Sequence, residues 1–159
     1  MTNHNLFLVG KLGKPHSLKG YQYINIEYFF RNFDLKNTHF LIDGKDFVVE
    51  DFKTHLKNRN LIKFYSYDSI EEISNLRNKL VKINMDVASS FINEEKLPWP
   101  GFFIGHELKG NNYNLQSYEV LDNIYFCKVS GIEMRIPYNS NFFTFNNGDL
   151  SLLESSLTI

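Results

Sequence analysis

Apolar and polar positions alternate along most of this chain, and the alternation stops at a few sharply punctuated places. Leu6, Phe7, Leu8 and Val9 form a short apolar, strand-like run. In 21–28, Ile24, Ile26 and Tyr28 fall on one side and Asn25 and Glu27 on the other, the period-two pattern of a half-buried strand. Residues 29–37 are an irregular aromatic connection. Apolar runs on either side of Asp43-Gly44 predict a hairpin over 40–50, because this dipeptide readily adopts the backbone of a tight two-residue turn. A second hairpin is predicted from 52–56 and 61–67 around the polar turn Asn58-Arg59-Asn60. Val81, Ile83 and Met85 alternate with Lys82, Asn84 and Asp86, which predicts one more strand.

One segment follows the helical period instead. Ser69-Ile70-Glu71-Glu72 is a capping box, and Ile70, Ile73, Leu76 and Leu80 continue it as an apolar stripe. This predicts a single short helix lying as a lid on a barrel. Between Ser89 and Gly101 the texture changes again. Pro98 and Pro100 remove backbone donors, and Asn93-Glu94-Glu95-Lys96 is polar. A linker is therefore expected over 91–100, with one domain at 1–90 and another at 101–159. In the latter, 113–121, 124–130 and 132–138 read as strands joined by turns at Asp122-Asn123 and Ser130-Gly131. Asn146-Asn147-Gly148-Asp149 marks a last turn before 150–153. A unit this small is expected to lean on a partner or on its neighbour. The fold class expected is all-β, two small barrels in tandem.

Composition supports strands. The chain has 15 Phe and 9 Tyr in 159 residues, and Ala88 is its only alanine, so the best helix former is almost missing. Charge adds little: the formal net charge is −1. Its distribution is mildly uneven, with 14 Lys and Arg against 12 Asp and Glu in 1–100 and 3 against 6 beyond. The lone cysteine, Cys127, excludes an internal disulfide and suits a reducing compartment. No charged leader precedes an apolar segment, and no apolar run approaches about 18 residues. A cytoplasmic protein without membrane contact is expected.

Candidate chemistry concentrates in 9–20. Val9-Gly10-Lys11-Leu12-Gly13-Lys14-Pro15-His16-Ser17-Leu18-Lys19-Gly20 holds three glycines, three lysines, a proline and a histidine, and no acidic residue precedes Glu27. The stretch reads as a tightly turned loop between strands, either simply solvated or in contact with phosphate. It is not a nucleotide-cradling loop, since the Walker spacing is missing and a strand follows where a helix is required. The five histidines have no metal-binding spacing, and one cysteine cannot build a zinc site, so neither metal nor other cofactor is expected. Glu71-Glu72 and Glu94-Glu95 read as helix first turn and linker charge. Gly101-Phe102-Phe103-Ile104-Gly105-His106 sets two Phe beside polar residues. Either both rings plug the barrel end, or at least one is an exposed anchor for a protein or RNA surface.

Taken together, these motifs resemble the ribosome maturation factor RimM family, also described as 16S rRNA processing proteins. The 9–20 stretch resembles the family's opening motif, with Ser17 where the family carries glycine. Leu76-Arg77-Asn78 falls where the family has Leu-Arg-Gly, and Leu97-Pro98 matches its interdomain Leu-Pro. Phe103-Ile104-Gly105-His106-Glu107-Leu108-Lys109-Gly110 resembles its aromatic motif, with Ile104 and Gly105 in place of the second aromatic and the Trp. Arg135-Ile136-Pro137-Tyr138 resembles its late apolar-Pro-aromatic strand.

The resemblance implies a six-stranded barrel of the translation-factor type followed by a PRC-barrel. It implies a non-catalytic, monomeric assembly factor for the small ribosomal subunit. Such a factor binds the immature head region, small-subunit ribosomal protein nineteen and nearby rRNA, and assists pre-rRNA processing. On that basis Lys11, Lys14, His16 and Lys19 are the expected rRNA contacts, and Phe102, Phe103 and His106 the expected ribosomal-protein surface. If the turn needs a left-handed backbone at Ser17, Ser17→Gly should be tolerated or mildly stabilising. Two alternatives remain at this point. One is a flavin- or nucleotide-binding barrel enzyme, since reductases use similar barrels. The other is a protein adaptor that does not touch RNA.

Overall fold

The computed structural model describes residues 5–110 and 112–153. The fold is all-β, and the chain divides after Ser90 into two compact units. The first unit is built from β1 (Leu6–Pro15), β2 (Gln22–Ile26), β3 (His39–Ile42), β4 (Lys45–His55) and β5 (Arg59–Phe64), then helix α1 (Ile70–Ile73), β6 (Leu80–Asn84) and helix α2 (Met85–Ser89). The six strands close into a barrel in the order β1-β2-β5-β4-β3-β6, every neighbour antiparallel. Closure leaves no strand edge open to another chain. Inward positions are apolar, with Val9, Leu12, Ile24, Phe40, Phe64 and Val81 among those almost fully buried.

The 9–20 stretch is mostly strand, which corrects its reading as a loop. β1 runs on to Pro15, and only residues 16–21 make the turn, closed by His16 N donating to Tyr21 O at 2.9 Å. Gly10 and Gly13 therefore serve close approach. A Cβ on Gly10 would stand 2.8 Å from the carbonyl of Asn25, and one on Gly13 would stand 3.2 Å from Tyr23 Cβ. Register shifts at Leu8/Gly10 and Leu12/Pro15 bend the strand. The buried Gln22 side chain donates from Nε2 to Gly13 O at 3.3 Å, a carbonyl that lies within the second irregularity.

Two further expectations change in this unit. The segments 45–50 and 52–56 are one strand, β4, which bends at a register shift between Val49 and Asp51 and so pairs with both β3 and β5. The predicted helix over 70–80 stops at Ile73, followed by a 3-10 turn over Ser74–Leu76. Asn78 is left-handed, and its N–H donates to Leu12 O while Leu12 N–H donates to Lys79 O. These two bonds dock the chain on β1, so Leu80 begins a strand instead of completing the stripe. α2, absent from the sequence reading, is capped by Asn84, whose side chain accepts from Val87 N at 2.9 Å.

The second unit carries β7 (Leu115–Leu121), β8 (Ile124–Val129) and β9 (Ile136–Pro137) in one sheet, and β10 (Phe143–Asn146) with β11 (Asp149–Leu152) in another. Both sheets contribute to one core that includes Leu115, Cys127, Val129, Phe143 and Leu150. These sheets stand where the resemblance implies a PRC-barrel. Residues 91–100, expected as a linker, fall in this compact unit: Ile92 and Leu97 lie against the shared core, and Trp99 packs on Phe102 and Tyr118. β9 is much shorter than 132–138, because Gly131 turns the chain and Lys128 Nζ donates to Ile132 O, holding that segment off the ladder.

Candidate nucleic-acid interface

Strand pairing on one side of the barrel sets the site. β1 lies against β2 with Lys11 opposite Asn25, and β2 lies against β5 with Tyr23 opposite Leu61 and Ile24 opposite Asn60. The 3-10 turn Tyr28–Asn32 brings Arg31 back to β2, where Nε donates to Ile26 O at 2.9 Å and Nη2 to Asn25 Oδ1 at 3.4 Å. Between β4 and β5 the chain turns through Lys57 and Asn58, both left-handed at φ 60°. Arg59 follows, and its guanidinium carbon lies 3.7 Å over the centre of the Tyr23 ring. Gly13 lies close against Tyr23, and a side chain there would crowd the Tyr23 Cβ and carbonyl from which the ring is hung.

A groove of about 410 Å³ opens between these elements. Its cations are Lys11, Arg31 and Arg59; its amides are Asn25, Asn58, Asn60 and Asn78; Tyr23 forms part of the wall. Among the described residues no carboxylate lines it. Some cations elsewhere are paired: Lys63 binds Glu50 and Asp68 at 2.8 and 2.7 Å, and Lys79 binds Asp43 at 2.8 Å. Beside the groove, His16 packs edge-on to Tyr23 and to His55, at 5.2 and 4.5 Å between ring centres. Uncompensated cations, a stacked aromatic–guanidinium pair and amides with both donors and acceptors form a face suited to a polyanion that also carries planar groups.

Of the four basic residues expected here, Lys11 lines the groove, and His16 joins its aromatic flank. Lys14 and Lys19 are exposed on the end of β1 and on the turn, and neither lines it. Sequence reasoning missed Tyr23, Arg31, Arg59 and Asn78. The alternation of 21–28 does set Tyr23 opposite the buried face. Nothing along the chain joins it to Arg59, because only the β2–β5 pairing does.

The aromatic segment at the start of the second unit divides differently. Phe102 is 6% exposed and packs edge-to-face on Trp99 at 5.1 Å. It is a core residue, and this removes its ring from the expected protein-binding surface. Gly101 permits the packing, because a Cβ there would fall 2.4 Å from the Trp99 indole. Phe103 is half-buried between His106 and Phe145, with ring centres at 5.8 and 5.9 Å. His106 is exposed, as is Ile104, on a turn where Gly105 is left-handed and donates to Leu115 O at 2.7 Å. Cys127 is fully buried, and burial pushes its thiol up to about 12, so it is an inert core group. Among the described residues no cluster of His, Cys, Asp and Glu could hold a metal, and no helix is long and apolar enough to cross a membrane.

A closed six-stranded antiparallel barrel with a basic, amide-lined groove, followed by a second β unit, defines a tandem all-β protein. The family model for the RimM N-terminal domain matches residues 7–88, the barrel almost from end to end, and the chain belongs to the RimM family. It is similar in structure to the N-terminal domain of RimM from Thermus thermophilus, at 16% identity and a TM-score of 0.44 over 52% of this chain and 92% of that one. It is also similar to a protein from Pseudomonas aeruginosa described as the 16S ribosomal RNA processing protein RimM, at 12% identity and a TM-score of 0.45 over 93% of this chain and 96% of that one. Comparison with curated protein sequences finds no match.

Proposed function

We propose that this protein is a maturation factor for the small ribosomal subunit that acts by binding and carries out no chemistry of its own. The barrel contacts rRNA of the immature head region through the groove and the neighbouring Lys14, His16 and Lys19. The Phe103–His106 turn of the second unit takes the surface of small-subunit ribosomal protein nineteen. The observation that carries this reading is a groove whose three cations face no carboxylate, on the barrel of a RimM-family chain. A factor of this kind assists folding and pre-rRNA processing only as far as it binds the immature subunit more tightly than the mature one. Cytoplasmic location follows from that role.

Sedimentation with purified subunits tests it. The protein is expected to travel with precursor subunits more than with mature ones at about 50 mM salt, and to be lost steeply by about 200 mM. No association at the lower salt overturns the proposal.

A further inference from the structure

Building on that reading of the chain as an rRNA-binding factor, we propose that the groove receives one unpaired nucleotide. Its base stacks on Arg59 and its edge is met by asparagine amides. The groove holds about 410 Å³, within the range of small-ligand sites, and a stacked duplex would touch only its rim. Arg59 is exposed and uses one guanidinium face on Tyr23, at 3.7 Å. The other face is left for a base, giving a Tyr23–Arg59–base stack.

The amides supply what phosphate contacts would not need. Asn58 and Asn78 are exposed and present donor and acceptor together, the pattern that a base edge pairs with. Asn25 Oδ1 is engaged by Arg31, which leaves its amide nitrogen to donate. Lys11 and Arg31, unmatched by any lining carboxylate, are placed for the flanking phosphates.

Asparagine also tolerates a left-handed backbone, and Asn58 and Asn78 sit at φ 60° and 68°. Glycine keeps that backbone and removes only the amide, so Asn58→Gly with Asn78→Gly separates the two roles. Arg59→Lys keeps the charge and removes the stacking plane.

The experiment is fluorescence anisotropy of the full chain with a labelled, mixed-sequence single-stranded RNA of about 10 nucleotides, and with the same strand annealed to its complement. The single strand is expected to bind more tightly. Arg59→Lys and the paired glycine variant should each weaken strand binding about fivefold to tenfold, and more than they weaken duplex binding. Thermal melts matching wild type establish that the variants fold. Equal affinity for strand and duplex, no binding to either, or variants that bind the strand like wild type would each overturn the assignment. Co-sedimentation of wild type with precursor subunits, run in parallel, keeps this outcome distinct from failure of the maturation reading.

Discussion

Ser17 lies on the turn between β1 and β2 without a left-handed backbone, and its hydroxyl accepts from Lys19 N at 3.3 Å. Glycine at this position would lose that bond and add freedom to the unfolded chain. Ser17→Gly should therefore lower stability by about 0.5–1 kcal/mol, contrary to what the family pattern alone suggests. Urea unfolding reads this as a lower midpoint at unchanged slope, and a raised midpoint would contradict it. The left-handed residue of the turn is Gly20, at φ +96°, where a Cβ would meet the Tyr67 carbonyl at 2.1 Å. At this scale the sequence located the basic stretch and Lys11 within it, because charge and glycine content are local properties. Arg31 and Arg59 were not legible: they reach the groove through a 3-10 turn and a strand pairing that no local pattern encodes.

Elements were legible in proportion to how far local chemistry decides them. Asp43-Gly44, Asp122-Asn123 and Asn147-Gly148 each take φ > 0 at both positions, which joins strands of right-handed twist without splaying them. All three turns are visible in the sequence for that reason. The helix over 70–80 was overread because its stripe is real only to Leu76, after which backbone bonding to β1 outweighs the period. β10 was missed because Phe143-Thr144-Phe145 offers too short an alternation to separate from its surroundings. A cross-barrel contact illustrates what pattern reading cannot supply. Tyr21, just before β2, donates to Asp51 on β4 across the intervening β5. The hydrogen bond to Asp51, then burial, push the Tyr21 phenol up to about 12. Since the unfolded phenol ionises near 10, the stability due to Tyr21 is complete below that pH and is lost as pH rises toward 12. Tyr21→Phe should be less stable than wild type at about pH 8, and the gap should narrow by about pH 11. Paired urea melts at the two pH values measure this, and a constant gap would show that the bond does not set the titration.

For the whole molecule, the two units differ in how completely each satisfies itself. The barrel closes all six strands on one another, and its core is lined from every strand. The cap of α1 is local to the unit too: Ser69 Oγ accepts from Glu72 N at 3.3 Å. So is the half of the candidate interface that carries Lys11, Arg31 and Arg59. The second unit has a three-stranded and a two-stranded sheet; in the former, among the described residues, the outer strands β7 and β9 pair with no second strand, and β7 is bonded on its free side only at Leu115, by the Gly105–His106 turn. Its core also draws on Ile92 and Leu97, which the sequence assigned to a linker because proline and charge there outweighed two apolar positions. A break at Ser90 therefore separates structure more cleanly than one at Pro100. A fragment ending at Ser90 should unfold cooperatively and keep the single-strand RNA affinity and salt slope of the full chain, since no groove residue lies beyond Asn78. A fragment starting at Gly101 lacks Ile92, Leu97 and Trp99 and should show no cooperative transition, whereas one starting at Phe91 should regain it. Circular dichroism melts of the three fragments decide the point. A cooperative 101–159 fragment would restore 91–100 as a linker, and a molten 1–90 fragment would mean that the closed barrel depends on the rest of the chain.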